Sequence, residues 1–404
     1  MQGIACVALM AFALPIAASA LVPSRAAAQG ADVHGIVYAD VNANGSRDAS
    51  ERGISGVMIS NQRDVVLSDS LGRFAIPSGT SGIVFVSVPD GSRSSGAFWR
   101  RTATAPASVD FGLVRRAQPR TFTFVHASDP HIAPENVERF RHFRQMTDSL
   151  APSFALMGGD LIRDAMSQTE AKSRSYFDLY ATESRLFRTP IFNVPGNHDH
   201  YGIIPTRSHA DPANPAYNRG MYREYLGPDY YSFTYGGIHF IGLNTISPDD
   251  SAYYGDVDSV QMAWLKRDIA HVPAAMPIVT FNHIPLISSW EALTGYNEDP
   301  IVATLAKVNG KKQYRHTVGN VLELIEAMHG HRYVLSLNSH MHAPEHVTFI
   351  TAGTPIRSDV SAAIVGGNEF AATVFPSGFS LYTVRNGTID AGRFFPLDPP
   401  RSQP

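Results

Sequence analysis

The sequence predicts an α/β protein preceded by a small all-β domain, on three observations. The 404 residues are 44% hydrophobic and 17% charged, which suits a packed core spread over two to three domains. Short β-prone segments separated by Gly, Asn, Asp and Ser fill residues 32–114, as in a small β-sandwich. From residue 121 onward, apolar runs of strand length alternate with helical patterns, which indicates an α/β architecture.

Composition excludes several classes of function. The formal net charge is -3 at pH 7, and no basic block stands out, so no stable nucleic-acid partner is expected. The single cysteine, Cys6, lies close to the N-terminus, in a segment that we expect to be removed. Thiol nucleophiles, thiolate metal sites and disulfides are therefore excluded from the mature protein.

The first residues have the pattern of a targeting segment. Gly3 to Val22 is apolar and Ala-rich, and small-residue cleavage patterns follow, so residues 1–28 are predicted to be a signal peptide and the protein to be secreted or periplasmic. No Lys or Arg precedes the apolar stretch, so Met1 is open to question as the true start. An uncleaved N-terminal membrane anchor is the alternative, since about 20 apolar residues can span a bilayer. After cleavage, no transmembrane segment is expected.

The predicted elements give the domain boundaries. Residues 115–120 read as a linker, 121–395 as the larger domain and 396–404 as a tail. The predicted strands are Val33–Tyr38, Gly56–Ser60, Gly72–Ile76 and Ile83–Val88 in the small domain, and Thr121–His126, Phe154–Met157, Ile191–Val194, Ile238–Leu243, Ile278–Phe281, Tyr333–Leu337, Phe379–Val384 and Thr388–Phe395 in the larger one. Asn386-Gly387 predicts a hairpin turn between the last two.

Two segments between these strands carry helix signals. Val318, Val321, Leu322, Ile325 and Met328 share one predicted helical face. Asp258 and Gln261 form a capping-box pattern ahead of an apolar run.

Polar side chains follow five of the predicted strands, at the point where each strand ends. They are Asp129 and His131, Asp160, Asn197 with His198 and Asp199, His283, and His340 with His342. In α/β sheets, functional groups gather beyond the carboxyl ends of the strands. Imidazoles, carboxylates and an amide oxygen suit Mn, Fe or Zn. If Asp129-x-His131 and His340-x-His342 are extended, each pair points the same way. The two pairs, together with Asp160, Asn197 and His283, give seven donors, which suit two ions that share one carboxylate.

These five blocks, in this order, resemble the calcineurin-like metallophosphoesterase family, whose pattern is Asp-x-His, Gly-Asp, Gly-Asn-His-Asp/Glu, a lone His and Gly-His-x-His. The resemblance covers roughly the last two-thirds of the chain. It implies a four-layer αββα sandwich for the larger domain. Two departures stand out: Ser339 replaces the usual Gly of the last block, and Arg163 stands where the purple acid phosphatase branch has a tyrosine ligand.

The resemblance also implies a role for each residue. Asp129, His131, Asp160 and His342 would surround the first metal, and Asp160, Asn197, His283 and His340 the second, with Asp160 bridging. His198 would face the substrate as proton donor or charge stabiliser, and Asp199 would hold its ring. Two cations about 3.5–4 Å apart would supply hydroxide from a bridging water for in-line attack on a phosphoester.

A second motif lies in the small domain. It has the spacing of an EF-hand calcium loop, with candidate ligands Asp40, Asn42, Asn44, Ser46, Asp48 and Glu51. The flanking segments read as strands, so the better comparison is with Cna-B-like and SdrD-B-like β-sandwich modules, which Ser68 to Phe74 also resembles. An Asn/Gly turn with incidental acids is the alternative.

The predicted function is therefore extracytoplasmic hydrolysis of a small-molecule or cell-envelope phosphoester, either a phosphomonoester or a phosphodiester. A specialised diesterase is one variant, with the insertions at about 200–232 and 285–316 lining the cleft. The alternative from another class is a non-catalytic surface binding or adhesion protein built on a retired phosphoesterase domain. A missing ligand would favour that alternative, and none is missing.

Overall fold

The computed structural model describes residues 32–102, 108–249, 251–290, 304–351, 354–366 and 375–397. The predicted signal peptide, Cys6 and most of the predicted tail lie outside these ranges. Among the described helices, none combines the length and the apolarity needed to cross a bilayer.

The first eight strands form a small sandwich. They are β1 Val33–Ala39, β2 Met58–Ser60, β3 Val65–Leu67, β4 Arg73–Ile76, β5 Ile83–Ser87, β6 Ser92–Ser94, β7 Trp99–Arg101 and β8 Phe111–Arg115. One sheet has the order β4-β1-β8-β6 and the other β3-β2-β5-β7. Apolar side chains of both sheets, among them Ile59, Val86 and Phe111, are fully buried between them. The alternation of buried and exposed residues along β4 is the period-2 pattern that a half-buried strand requires.

The larger domain contains sixteen strands and six α-helices among its described residues. The strands are β9 Thr121–Ala127, β10 Phe154–Met157, β11 Ile191–Asn193, β12 Tyr231–Tyr235, β13 Ile238–Gly242, β14 Ile246–Pro248, β15 Tyr253–Gly255, β16 Pro277–Phe281, β17 Leu305–Val308, β18 Lys311–Tyr314, β19 Arg332–Asn338, β20 Glu345–Thr351, β21 Thr354–Val360, β22 Gly378–Arg385, β23 Thr388–Ile389 and β24 Arg393–Pro396. The helices are α1 Val137–Leu150, α2 Glu170–Ser184, α3 Pro205–Ser208, α4 Arg219–Leu226, α5 Ser259–Ile269 and α6 Val321–Ala327.

Two six-stranded sheets form the centre of this domain. One has the order β11-β10-β9-β22-β23, with β24 also paired to β22, and the other is β12-β13-β16-β19-β21-β20. Strands β9, β10 and β11 run parallel, as do β13, β16, β19 and β21. Because parallel strands end at the same edge, the residues that follow them meet there. Apolar residues of both sheets form one core, and Phe140 and Phe143 of α1 pack in another with Phe379 of β22. The fold is the α/β sandwich predicted, preceded by the all-β region.

Three local predictions differ from the structure. Helix α6 begins at Val321 rather than near Val318, because the backbone of Val318 bonds to Pro285, and Leu322 is 76% exposed while Leu324 is buried. Asp258 caps α5 as predicted, but the Gln261 side chain bonds the backbone of Asn244 instead of completing the capping box.

The predicted last strand is the third difference. It divides into β23 and β24, because the Asp390 carboxylate accepts hydrogen bonds from the N–H groups of Thr383 and Gly392 and forms a bend. The hairpin turn before it is confirmed, with φ of 49° at Asn386 and 77° at Gly387.

The small sandwich contacts the larger domain through specific polar groups. The Trp264 indole donates to Ser60 Oγ at 3.0 Å, and the hydroxyls of Ser87 and Ser232 lie 2.8 Å apart. The insertion at 200–232, which the sequence suggested as a cleft wall, also supplies buried side chains, including Tyr222 and Tyr230. The two parts of the chain therefore share a buried interface.

Candidate dinuclear metal centre

Four predicted ligands meet in a first cluster beyond β9, β10 and β19. His342 Nε2 lies 3.2 Å from Asp129 Oδ1 and 3.3 Å from His131 Nε2. His131 Nε2 lies 3.5 Å from Asp160 Oδ2. The structure thus links the four side chains predicted around a first ion in one chain of contacts, Asp129–His342–His131–Asp160.

The other predicted ligands form a second cluster on the far side of Asp160. His283 Nε2 lies 3.2 Å from the same Asp160 Oδ2, 3.0 Å from Asn197 Oδ1 and 3.1 Å from His340 Nδ1. One carboxylate oxygen of Asp160 therefore faces both clusters. Among the described residues, three groups of His and Asp side chains are close enough to hold an ion: Asp129, His131 and His342; His131, Asp160 and His198; and Asp160, His283 and His340.

The distances fit coordination of an ion in each cluster. Two ligands held at about 2.1 Å from one metal lie roughly 3.0 Å apart at a right angle and roughly 3.4 Å apart at the tetrahedral angle. Five of the six separations given above fall in this range, and the distance from His131 to Asp160, 3.5 Å, lies just above it. Imidazole nitrogens that face one another at 3.1 and 3.3 Å are unfavourable as neighbours unless a proton or a cation lies between them. The chemistry and spacing of the donors therefore suit two cations.

The backbone of the ligand loops differs from the expectation. Asp129, His131, Asp160, His340 and His342 all have positive φ, between 41° and 73°. The Asp-x-His and His-x-His pairs are thus left-handed turns and not the extended segments expected. Their side chains converge, but not through the alternation of a strand. Non-glycine residues occupy this region rarely, and such strain is concentrated at functional sites.

Backbone hydrogen bonds hold the strained loops together. The N–H of Asp129 donates to Gly159 O at 3.1 Å, and the N–H of His131 donates to Asp160 O at 3.0 Å. The N–H of His340 donates to Asp129 Oδ2 at 3.3 Å. Each ligand loop therefore fixes another.

Burial and charge act in opposite directions on the ionisable groups. Burial lowers the pKa of His131 to about 3, and His198 adds to the effect. Burial also disfavours the charged form of His283, but Asp160 outweighs it and raises the pKa of His283 to about 9. The charges of His283 and His198 overcome the burial of Asp160 and hold its pKa well below the usual value. Cations and protons therefore compete for His283, so metal affinity should fall as the pH falls.

His198 lies beside the first cluster, and it could form a third donor group with His131 and Asp160, although the family resemblance gives it no metal. Its ring is 4.7 Å from the His131 ring, nearly perpendicular to it, and its side chain is 29% exposed. Its Nδ1 lies 2.9 Å from the carbonyl oxygen of Arg163, which can only accept, so Nδ1 carries the proton. Nε2 is therefore the atom of His198 left to face a substrate.

Asp199 does not hold the His198 ring, which corrects the predicted role. The Asp199 carboxylate is fully buried and accepts hydrogen bonds from the N–H groups of Leu161, Ile162 and Gly196 at 2.8 to 3.2 Å. It therefore joins the loop after Asp160 to the loop that carries Asn197. Burial raises the pKa of Asp199 to about 7, and Asp160 adds to the rise.

The two departures from the family pattern leave both donor sets in place. Ser339 is buried, and its Oγ occupies the space where a Cβ on Gly158 would lie. Its N–H donates to His283 O at 2.9 Å, so the strand end keeps its position. Arg163 is exposed, and its carbonyl oxygen accepts a hydrogen bond from His198 Nδ1.

His316 also lies beside the second cluster, although it is not among the predicted ligands. The His316 ring lies 5.3 Å from the His340 ring, with the Tyr253 ring 6.1 Å from His340. The preceding Arg315 is buried and pairs with Asp249 at 3.0 Å, which fixes this part of the 285–316 insertion against the second cluster. No motif in the sequence marks His316, because only the fold brings it here.

In the candidate calcium loop, the predicted ligands form hydrogen bonds with other residues of the same loop. Asp40 accepts from the N–H groups of Asn44 and Gly45, and Glu51 accepts from those of Val41 and Asp48. The Asn42 and Asn44 amides both donate to Asp48 Oδ2. Ser46 is exposed, and its N–H donates to Asn44 Oδ1. Calcium binding there stays a prediction.

Comparison with known proteins agrees with this geometry. The family model described as calcineurin-like phosphoesterase matches residues 122–343, more than half of the chain. The serine/threonine-protein phosphatase CPPED1 is 27% identical over 184 residues in Mus musculus and 29% identical over 188 residues in Bos taurus; both alignments cover 45% of this chain and 54% of the relative. The chain thus spans about half the length of these curated relatives.

One solved structure is similar in part. A dimetal phosphatase from Danio rerio is 13% identical, with a TM-score of 0.44, covering 68% of this chain and 96% of that one. The matched family segment, residues 122–343, contains every candidate ligand of the two clusters, from Asp129 to His342. The chain therefore belongs to the calcineurin-like phosphoesterase family, whose members bind two metal ions.

Proposed function

We propose that this protein is an extracytoplasmic hydrolase of phosphomonoesters or phosphodiesters that works with two metal ions. The observation that carries the proposal is the pair of four-donor clusters sharing one oxygen of Asp160. Bound cations, of Mn, Fe or Zn type, would neutralise phosphate oxygens and acidify a water for attack. A missing ligand would favour the adhesion alternative, and none of the seven predicted donors is missing from the clusters.

The chain's own residues have distinct tasks in this reaction. Asp160 holds the two clusters at a fixed separation, and Asp199 fixes the loops on both sides of it. With Nδ1 bound to Arg163 O, protonated His198 would present Nε2–H to the leaving-group oxygen or to a non-bridging phosphate oxygen. The backbone N–H of His198 also donates to Asp160 Oδ1 at 2.8 Å. This hydrogen bond fixes the position of the proton donor relative to the bridging ligand.

The location and substrate class belong to the same proposal. The apolar N-terminal segment with its cleavage patterns supports export. The net charge of -3 and the absence of basic blocks support a small-molecule or cell-envelope phosphoester over nucleic acid. The relatives named as serine/threonine-protein phosphatases add phosphoserine peptides to the substrates worth testing.

A direct assay tests the proposal. Purified protein is compared on 4-nitrophenyl phosphate, bis(4-nitrophenyl) phosphate and a phosphoserine peptide, with metal content measured on the same sample. We expect turnover of at least one substrate, loss of turnover on chelation, and recovery on addition of Mn, Fe or Zn. A protein that holds two ions and turns over none of them would favour the binding protein instead.

Replacing His198 by Ala should slow turnover and leave both metals bound. General acid catalysis contributes about 100- to 10,000-fold, so we expect kcat to fall by about 100-fold or more. Metal content by mass spectrometry should stay at the wild-type value, because the seven predicted ligands do not include His198. His271→Ala, at an exposed position, is the matched control. Loss of an ion in His198→Ala would show that His198 is a ligand.

A further inference from the structure

A chain of buried hydrogen bonds connects the small sandwich to the loop that carries Asn197 and His198. Gln62 Nε2 lies 3.0 Å from Asp229 Oδ1, and Asp229 Oδ2 lies 3.1 Å from Asn244 Nδ2. Asn244 Nδ2 lies 3.2 Å from His200 Nε2, and His200 Nδ1 lies 2.7 Å from Gly196 O. The four side chains are at most 2% exposed. We name this chain of contacts the Gln62–Gly196 relay.

Gln62 occupies a position where a glycine would be easier to accommodate. It lies in the turn between β2 and β3 with φ of 70°, a left-handed conformation that non-glycine residues rarely adopt. Its N–H donates to Ser60 Oγ, and its side-chain amide donates both protons, to Asp229 and to Tyr230 O. The turn therefore holds a long amide in a strained conformation and directs it into the larger domain.

Asp229 is the charged centre of the relay. Burial disfavours its ionised form, but Arg223 at 2.6 Å and Arg219 at 3.5 Å hold the pKa of Asp229 below the usual range. An ionised carboxylate accepts hydrogen bonds strongly, so it orients both the Gln62 and the Asn244 amides.

The donors and acceptors along the relay are mutually consistent. Gly196 O can only accept, so His200 Nδ1 carries a proton and Nε2 accepts from Asn244. Asn244 thus uses its two amide protons on His200 and Asp229, while its Oδ1 accepts from the N–H of Ile246. Burial lowers the pKa of His200 to about 4, which agrees with a neutral ring.

The relay ends on a peptide that has no room to move. A Cβ on Gly196 would lie 2.2 Å from Asp160 Oδ1, so this residue packs directly against the bridging carboxylate. The Gly196 N–H is held by Asp199 and its carbonyl by His200. The position of this peptide decides where Asn197 and His198 stand relative to Asp160.

We infer that Gln62 is a positioning residue for the phosphoesterase site, so that the small sandwich is a working part of the catalytic unit rather than a separate module. The kinetic test of this inference rests on the proposed function, because it requires turnover of a phosphoester. In structural terms, we expect that removal of the Gln62 amide allows the loop from Gly196 to His198 to move. Such a movement weakens the second cluster, which contains Asn197, and misplaces His198.

The test is Gln62→Asn in the full chain. Asn tolerates a positive φ and keeps an amide, but it is one methylene too short to reach Asp229. We expect kcat to fall by about three- to ten-fold, less than for groups that contact a ligand directly. In a calorimetric titration with Mn²⁺ or Zn²⁺, the second ion should bind more weakly by a similar factor. KM should change little.

Ser87→Ala is the matched control, because Ser87 forms a buried hydrogen bond across the same interface outside the relay. The inference is supported if Gln62→Asn lowers kcat and second-ion affinity while Ser87→Ala, with a similar loss of Tm, changes neither. If both variants lose only thermal stability, the small sandwich merely packs on the larger domain and the inference is wrong. If the wild type hydrolyses no phosphoester, the proposed function fails while the titration still decides the relay.

Discussion

Replacing Asp160 by Asn should abolish turnover and reduce the bound metal from two ions to at most one. The substitution keeps the shape of the side chain but removes the negative charge that faces both clusters at 3.2 to 3.5 Å. Since outer groups that only orient a ligand contribute about 10- to 100-fold, we expect loss of the shared ligand itself to lower kcat/KM by about 1,000-fold or more. Steady-state kinetics and metal analysis on the same preparation provide the measurement.

Asp148→Asn is the matched control for this variant. Asp148 lies near the C-terminal end of α1, and its carboxylate accepts a hydrogen bond from the N–H of Arg188. Asp148 does not belong to either cluster. It should keep both ions and wild-type kinetics. Two ions and near-normal turnover in Asp160→Asn would show that the clusters do not share this carboxylate.

Replacing Gly196 by Ala should lower activity by about 100-fold or more, although it adds one methyl group. The new Cβ would lie 2.2 Å from Asp160 Oδ1 and 2.3 Å from Asp160 N, so the bridging ligand and the Asn197 loop must separate. A displacement of about 1 Å at a reacting centre can reduce the rate by about 100-fold. Kinetics, together with titration of the second ion, measure the effect.

Gly96→Ala adds the same methyl group at a position with nothing within 4 Å and no positive φ. We expect it to leave kinetics and metal binding unchanged. If Gly196→Ala keeps full activity, the contact between Gly196 and Asp160 does not constrain the site.

The metal ligands could be predicted because they follow recognisable strands in a fixed order. Strand Phe154–Met157 was placed as observed, and Asp160 follows it by three residues. An apolar run ended by glycines and a carboxylate is a local feature, and parallel strands bring such features to one edge. Their backbone conformation could not be predicted, because the left-handed turns at Asp129 and His340 depend on bonds between distant loops.

Asp199 shows why motif neighbours can mislead. Adjacent to His198 in sequence, it was assigned to that ring, but the short 3-10 helix Asn197–Asp199 turns its carboxylate toward Leu161 and Gly196. Among the described residues, the three backbone N–H groups there have no other hydrogen-bond acceptor, and leaving them unpaired would be costly. His316 shows the reverse case, in which no sequence signal marks a residue that the fold brings to the site.

The sequence by itself determined the strands that precede the site, the seven candidate ligands and their likeness to a phosphoesterase family, since each of these is encoded in a few consecutive residues. Only the tertiary structure decided that Asp160 Oδ2 faces both clusters, that Asp199 joins two loops, and that Gln62 reaches Asp229 across 167 positions of chain. Hydrogen bonds act over about 3 Å of space whatever the separation in sequence. Contacts of this kind therefore exist only once the sheets and loops have packed.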